Sequence, residues 1–132
     1  MAEPLKPRSG GCHCGAVRFT ADLPDQIVGL SCNCSICAMT GFIHVIVEPE
    51  QFHLEKGEGT QSEYTFNTHQ AKHLFCKTCG VKSWYYPRSH PGKISINLRC
   101  FDSDQNLSGR IVDFDGANWE KNVGEINPEL GN

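Results

Sequence analysis

The sequence lacks the features that carry a chain into or across a membrane. Its start, Met1 to Gly11, has no apolar core of the kind a secretory signal needs. No run of about 18 apolar residues occurs anywhere, so no membrane-spanning helix is expected. Basic clusters are missing as well. The 12 Lys and Arg are scattered, no two of them adjacent, and the formal net charge is -3 with a pI near 6.0. Proteins hold nucleic acid largely by neutralising phosphates, so this pattern argues against a nucleic-acid partner. Sustained helical periodicity, internal repeats and low-complexity tracts are also absent. A cytoplasmic or nuclear protein with no membrane partner is the expectation.

What the chain has in excess is cysteine: 8 in 132 residues, far more than packing one domain requires. An even count invites a disulfide framework, but such frameworks belong to secreted chains. In a reducing compartment, clustered cysteines serve as metal ligands. The sequence places them in three clusters and one singleton. Gly11-Cys12-His13-Cys14-Gly15 comes first, Cys32-Asn33-Cys34-Ser35-Ile36-Cys37 second, Cys76-Lys77-Thr78-Cys79-Gly80 third, and Cys100 stands alone.

Cys12 and Cys14, two apart, reach one face of an extended segment. Cys76-x-x-Cys79-Gly80 has the form of a zinc knuckle, in which backbone N–H groups turn toward the first sulfur and the glycine takes a positive φ. Together they supply four thiolates, the complete ligand set of a structural zinc. Cys12, Cys14, Cys76 and Cys79 are therefore assigned to one closed site. Cys32, Cys34 and Cys37 supply three corners of a second tetrahedron. Its fourth corner has competing readings: Cys100 or His44 completes a structural site, or the corner is left for water or an external thiol, or the trio is empty or oxidised. A lone cysteine such as Cys100 is more often a small buried hydrophobe.

Around the cysteines the pattern is one of short strands. Alternating or β-branched stretches fall at residues 16–20, 27–30, 42–47, 52–54, 62–66, 81–86, 94–98 and 111–114, separated by Gly, Pro and polar turns. Residues 38–41 suit one helical turn ended by Gly41. An all-β single domain follows, over residues 11–123, with a loose arm at 1–10 and a flexible tail at 124–132. Other side chains are candidates with ordinary alternatives. His44, His69 and His73 suit proton transfer, yet histidines of this kind are more often surface or hydrogen-bonded groups. Trp84-Tyr85-Tyr86 suits a pocket wall, or a strand alternating core and surface rings. Lys77, Lys82, Arg88 and Arg99 suit the carboxylates of a peptide-like thiol, or a solvated surface. Asp102 and Asp104 read as a turn rather than a carboxylate site.

The three cysteine motifs, in this order, resemble the zinc-binding family of glutathione-dependent formaldehyde-activating enzymes, which includes centromere protein V. The resemblance extends through Ala16-Val17-Arg18-Phe19, Tyr64 to His69, Tyr86 to Ser89 and Asp115 to Glu120, so it covers about residues 10–123. It implies a β-tent, Mss-four-like fold with two zinc ions. It implies Cys12, Cys14, Cys76 and Cys79 on the structural ion and Cys32, Cys34 and Cys37 on a second, catalytic one. The activity it implies joins glutathione and formaldehyde reversibly, a carbon–sulfur lyase reaction, with glutathione or a similar thiol as the small-molecule partner. The alternative is a non-catalytic, centromere protein V-like interaction module. The long basic, proline-rich extension of centromere protein V has no counterpart in the residues before Gly11.

Overall fold

A computed structural model describes residues 4–32, 35–66, 71–88, 90–102 and 108–114. Among them run ten strands, one short helix and two single-turn 3-10 segments: β1 Lys6–Gly11, β2 Arg18–Leu23, β3 Gln26–Cys32, α1 Ser35–Thr40, β4 Ile43–Val47, β5 Phe52–Lys56, β6 Gln61–Tyr64, β7 Lys72–Cys76, β8 Trp84–Tyr86, β9 Ile94–Asn97 and β10 Ser108–Phe114. The all-β reading holds. A three-stranded sheet, ordered β1-β2-β5, packs on a seven-stranded sheet ordered β10-β3-β4-β9-β8-β7-β6. Every strand pairing is antiparallel except β10 with β3.

The core lies between the two sheets. Strand alternation sends Phe19, Ala21 and Leu23 of β2 toward Val45 and Val47 of β4, Trp84 of β8, and Ile94 and Ile96 of β9. Phe52 lies against both Phe19 and Trp84, with ring centroids 5.6 and 4.8 Å apart. The opposite pleat of the same strands carries a different set: His44 on β4, Ser95 and Asn97 on β9, Tyr85 on β8 and His73 on β7. All five are buried. Both faces of the large sheet are thus covered here, which explains why Trp84 and Tyr85 are buried together instead of alternating core with surface.

Two expectations from the sequence are corrected. Residues 6–10 belong to strand β1 and are not a loose arm. The segment has no apolar alternation to reveal it, but it pairs with β2 from Lys6 opposite Leu23 to Gly11 opposite Arg18. Arg8, only 5% exposed, anchors it through an ion pair with Asp25 in the β2–β3 turn. Residues 81–83 are not strand, because the Cys76 N–H bonds to the Val81 carbonyl at 3.1 Å and closes a turn there. The tail at 124–132 lies outside the described residues.

Candidate metal centre

Cys12 and Cys14 lie in the turn that joins β1 to β2; Cys76 and Cys79 lie in the turn that follows β7. The two turns are built alike. In each, the N–H of the first cysteine bonds the carbonyl five residues on: Cys12 to Val17 and Cys76 to Val81, both at 3.1 Å. Each turn then reverses at a glycine in left-handed conformation, Gly15 at φ 82° and Gly80 at φ 77°. A side chain there would strain the backbone even with open space around it. The Cys12-x-Cys14 pair is therefore held in a knuckle-like turn, not in the extended segment its spacing suggested.

The turns bring the four sulfurs together, all within 4.8 Å of one another. The Cys12–Cys14 and Cys14–Cys76 separations are 3.7 and 3.6 Å. A tetrahedral ion bound by thiolates at about 2.3 Å places its sulfurs about 3.8 Å apart. Disulfide sulfurs lie at about 2.05 Å, so these are not bridged pairs. The donor set and its spacing fit one tetrahedral, thiolate-bound metal ion.

Backbone amides already prepare the sulfurs for negative charge. The Val17 N–H points at Cys12 Sγ (3.3 Å), and the N–H groups of Thr78 and Cys79 point at Cys76 Sγ (3.3 and 3.5 Å). The amides of Cys79 and Thr78 hold the Cys76 thiol below its usual range. Those of Val81 and Cys14 bring Cys79 down to about 6. Cys14 goes the other way. Against the pull of the Ala16 N–H, desolvation and the neighbouring sulfurs of Cys76, Cys12 and Cys79 raise it to about 11. Like groups in contact thus move apart, Cys76 and Cys79 downward and Cys14 upward.

The second cluster sits elsewhere. Strand β3 ends at Cys32, which is half-buried; Asn33 and Cys34 lie outside the described residues; Cys37 is buried on α1. The predicted helical turn begins earlier, at Ser35, and the Gly41 N–H caps it on the Cys37 carbonyl at 3.0 Å. Cys37 Sγ lies 3.2 Å from His44 Nε2. Two hydroxyls converge on the other ring nitrogen: Ser95 Oγ at 2.9 Å and the Tyr85 hydroxyl at 3.3 Å from His44 Nδ1.

Cys100 is placed away from this group. It follows β9, packs on the core, and directs its thiol toward the Lys82 carbonyl at 3.8 Å. Burial raises it to about 11, and the thiolates of Cys12 and Cys79 push the same way. Half-buried, it has the quartet and the core as neighbours, so the reading of a small buried hydrophobe is met only in part.

Sequence reasoning missed Lys82, grouping it with solvated basic residues. It is only 8% exposed. Its Nζ lies 2.6 Å from His73 Nδ1, 3.9 Å from the centre of the Tyr85 ring and 4.9 Å from that of Phe42. His73 stacks on Tyr85 with centroids 4.8 Å apart. A buried cation between rings thus adjoins the Cys37–His44 pair through Tyr85. Reading residues 81–86 as one strand gave no sign of it, because Lys82 precedes β8, which begins at Trp84. Lys77 bonds the Gly59 carbonyl at the surface, and Arg99 is exposed. Arg88 is half-buried. Asp102 is held by Arg18 in a two-pronged ion pair, at 3.1 and 2.5 Å. His69 and Asp104 lie outside the described residues.

Residues 7–116 match the family described as glutathione-dependent formaldehyde-activating enzyme. The chain belongs to this family. A relative from Halomonas elongata, whose name assigns it provisionally to the same enzymes, is 30% identical over 103 residues. That alignment covers 72% of this chain and 66% of the relative, so the chain spans just under two thirds of that protein. Among solved structures, a Rhodobacter sphaeroides protein matches with a TM-score of 0.65 at 28% identity, covering 77% of this chain and 98% of that one. Among the described residues of this family member, no helix is long and apolar enough to cross a membrane.

Proposed function

We propose that this chain is a zinc-dependent carbon–sulfur lyase that joins glutathione, or a similar thiol, reversibly to formaldehyde or another small aldehyde. In this reading Cys12, Cys14, Cys76 and Cys79 hold a structural zinc, and Cys32, Cys34 and Cys37 hold a second zinc with one corner open to the substrate. The observation that carries it is the partition of sulfurs. Four thiols already complete one tetrahedron, while Cys37 faces His44 and a buried array of hydroxyls and rings. Family membership supports the substrate class.

The reaction is a thiol addition. The substrate thiol loses its proton, its sulfur forms a bond to the aldehyde carbon, and the carbonyl electron pair moves to oxygen, which takes up a proton. A free thiol near pKa 8.5 is mostly protonated at neutral pH. Zinc, when bound by the three cysteines, supplies the means to deprotonate it. The chain's own groups do the rest. His44 orients the Cys37 sulfur, and Ser95 and Tyr85 orient His44. Lys82 provides a positive charge beside the Tyr85 ring, opposite in sign to a thiolate or to a nascent alkoxide. Three thiolates make a weak Lewis acid of their metal, so substrate positioning carries much of the rate.

The test is exchange NMR on glutathione and formaldehyde. The purified protein should speed exchange between free glutathione and its hydroxymethyl adduct beyond the spontaneous rate, and Cys37→Ser should abolish the increment while keeping the quartet's metal. No increment for the wild type, with both metal sites filled, would leave the cysteine clusters as the frame of an interaction module.

A further inference from the structure

We infer that His44 is a hydrogen-bond donor to the Cys37 sulfur, locked in that role by Ser95, and so is not the fourth ligand of the three-cysteine site. The inference deepens the reading above and rests on it only in taking Cys37 as a metal ligand.

The argument starts from Ser95. Its side chain is wholly buried, at 0% exposed, on the face of β9 away from the core. Among the described residues its hydroxyl meets one side-chain partner, His44 Nδ1, at 2.9 Å. A hydroxyl can donate one hydrogen and accept others. A buried hydroxyl that only accepted here would strand its own hydrogen, so the Ser95 O–H donates and Nδ1 accepts. The Tyr85 hydroxyl lies 3.3 Å from the same nitrogen.

A neutral imidazole carries one N–H. With Nδ1 as acceptor, the hydrogen sits on Nε2, and Nε2 lies 3.2 Å from Cys37 Sγ. The ring cannot turn away easily. Phe42 and Tyr85 pack against it with centroids 4.7 and 5.7 Å distant. Strand pairing fixes both flanking elements, because β4 lies beside β9 with His44 opposite Asn97 and Ile46 opposite Ser95.

Metal ligation through Nε2 would need the opposite tautomer, with the hydrogen on Nδ1. That would reverse the Ser95 bond and strand the serine's hydrogen. His44 is therefore a positioning residue. Its N–H turns the positive end of a bond dipole to the Cys37 thiolate, which eases the build-up of three negative sulfurs at one ion. It also keeps a ready nitrogen ligand from filling the corner that a substrate thiol needs.

The direct test is a long-range proton–nitrogen NMR correlation on the zinc-loaded, nitrogen-labelled protein. We expect a pyrrole-type Nε2 and a pyridine-type Nδ1 for His44 without glutathione present. A metal-shifted Nε2 with a protonated Nδ1, or a doubly protonated ring, would overturn the inference. Cobalt-substituted variants supply the second measurement. His44→Leu should shift the sulfur-to-cobalt charge-transfer band of the three-cysteine ion, and His44→Gln, which keeps a donor, should restore it while binding the ion as tightly as the wild type. Equal loss of that ion from both variants would identify His44 as a ligand. The tautomer is read without substrate, so it can stand when thiol addition fails, and can fail when thiol addition stands.

Discussion

Replacing Cys76 by serine removes one corner of the quartet and tests how the two sheets are joined. Cys76 ends β7, on the large sheet, and its sulfur lies 3.6 Å from that of Cys14, 62 residues earlier in the turn that joins two strands of the small sheet. An ion held there would close a long loop and clamp one sheet to the other. A structural zinc contributes about 10–16 kcal/mol of apparent binding energy in small peptides. A whole domain is stable by only about 5–15 kcal/mol. Cys76 is also the acceptor of two backbone N–H groups and is 1% exposed within the core. Cys76→Ser should yield insoluble or largely unfolded protein with at most one ion per chain, measured by elemental analysis and circular dichroism. His13→Ala is the control. His13 is exposed between two ligands, and its loss should change stability by no more than about 0.5 kcal/mol. A Cys76→Ser protein that folds normally with undiminished metal would refute the reasoning.

The other predictions concern charge and burial. In the folded fraction that survives metal removal, Cys79 should ionise with an apparent pKa of about 6, set by the Val81 and Cys14 amides; ultraviolet thiolate absorbance follows it. Because its folded value lies below the unfolded value of 9.0, its contribution to stability is complete above about pH 9 and is lost as pH falls through 6. Stability should therefore rise with pH across that window, with Cys14 acting in the opposite sense only above 9. Lys82→Ala removes the donor 2.6 Å from His73 Nδ1 and should cost about 1–3 kcal/mol in urea unfolding; an unchanged midpoint would show the buried cation to be dispensable. Arg18→Ala breaks a part-exposed pair with Asp102, whose carboxyl that guanidinium holds below the usual range. The loss should be only about 0.5–1 kcal/mol, and smaller in high salt.

The sequence was most readable where spacing and chemistry agree. Cys76-x-x-Cys79-Gly80 announced its turn, and the structure joins it to Cys12 and Cys14 as the spacing implied. The run Phe42 to Val47 was legible as strand because β-branched residues dominate it. Strand β1 was not, since Lys6-Pro7-Arg8-Ser9 looks solvated and gains its place from backbone pairing and from the Arg8–Asp25 bond. Strand β7 was equally hidden, because His73 owes its burial to stacking on Tyr85 and to Lys82, contacts between distant segments that no local pattern encodes. His44 was a candidate on residue type alone. Only the register of β4 against β9 and the position of α1 set Ser95 on one side of it and Cys37 on the other.

Stepwise loading of the metal-free protein with cobalt, followed by glutathione, bears most directly on the division into a filled set of four sulfurs and an unfilled set of three. Two ions per chain should bind in the wild type and one in Cys34→Ser, and glutathione at millimolar concentration should change the absorption of the second ion alone. A single ion in the wild type, or two whose spectra ignore glutathione, would contradict the account.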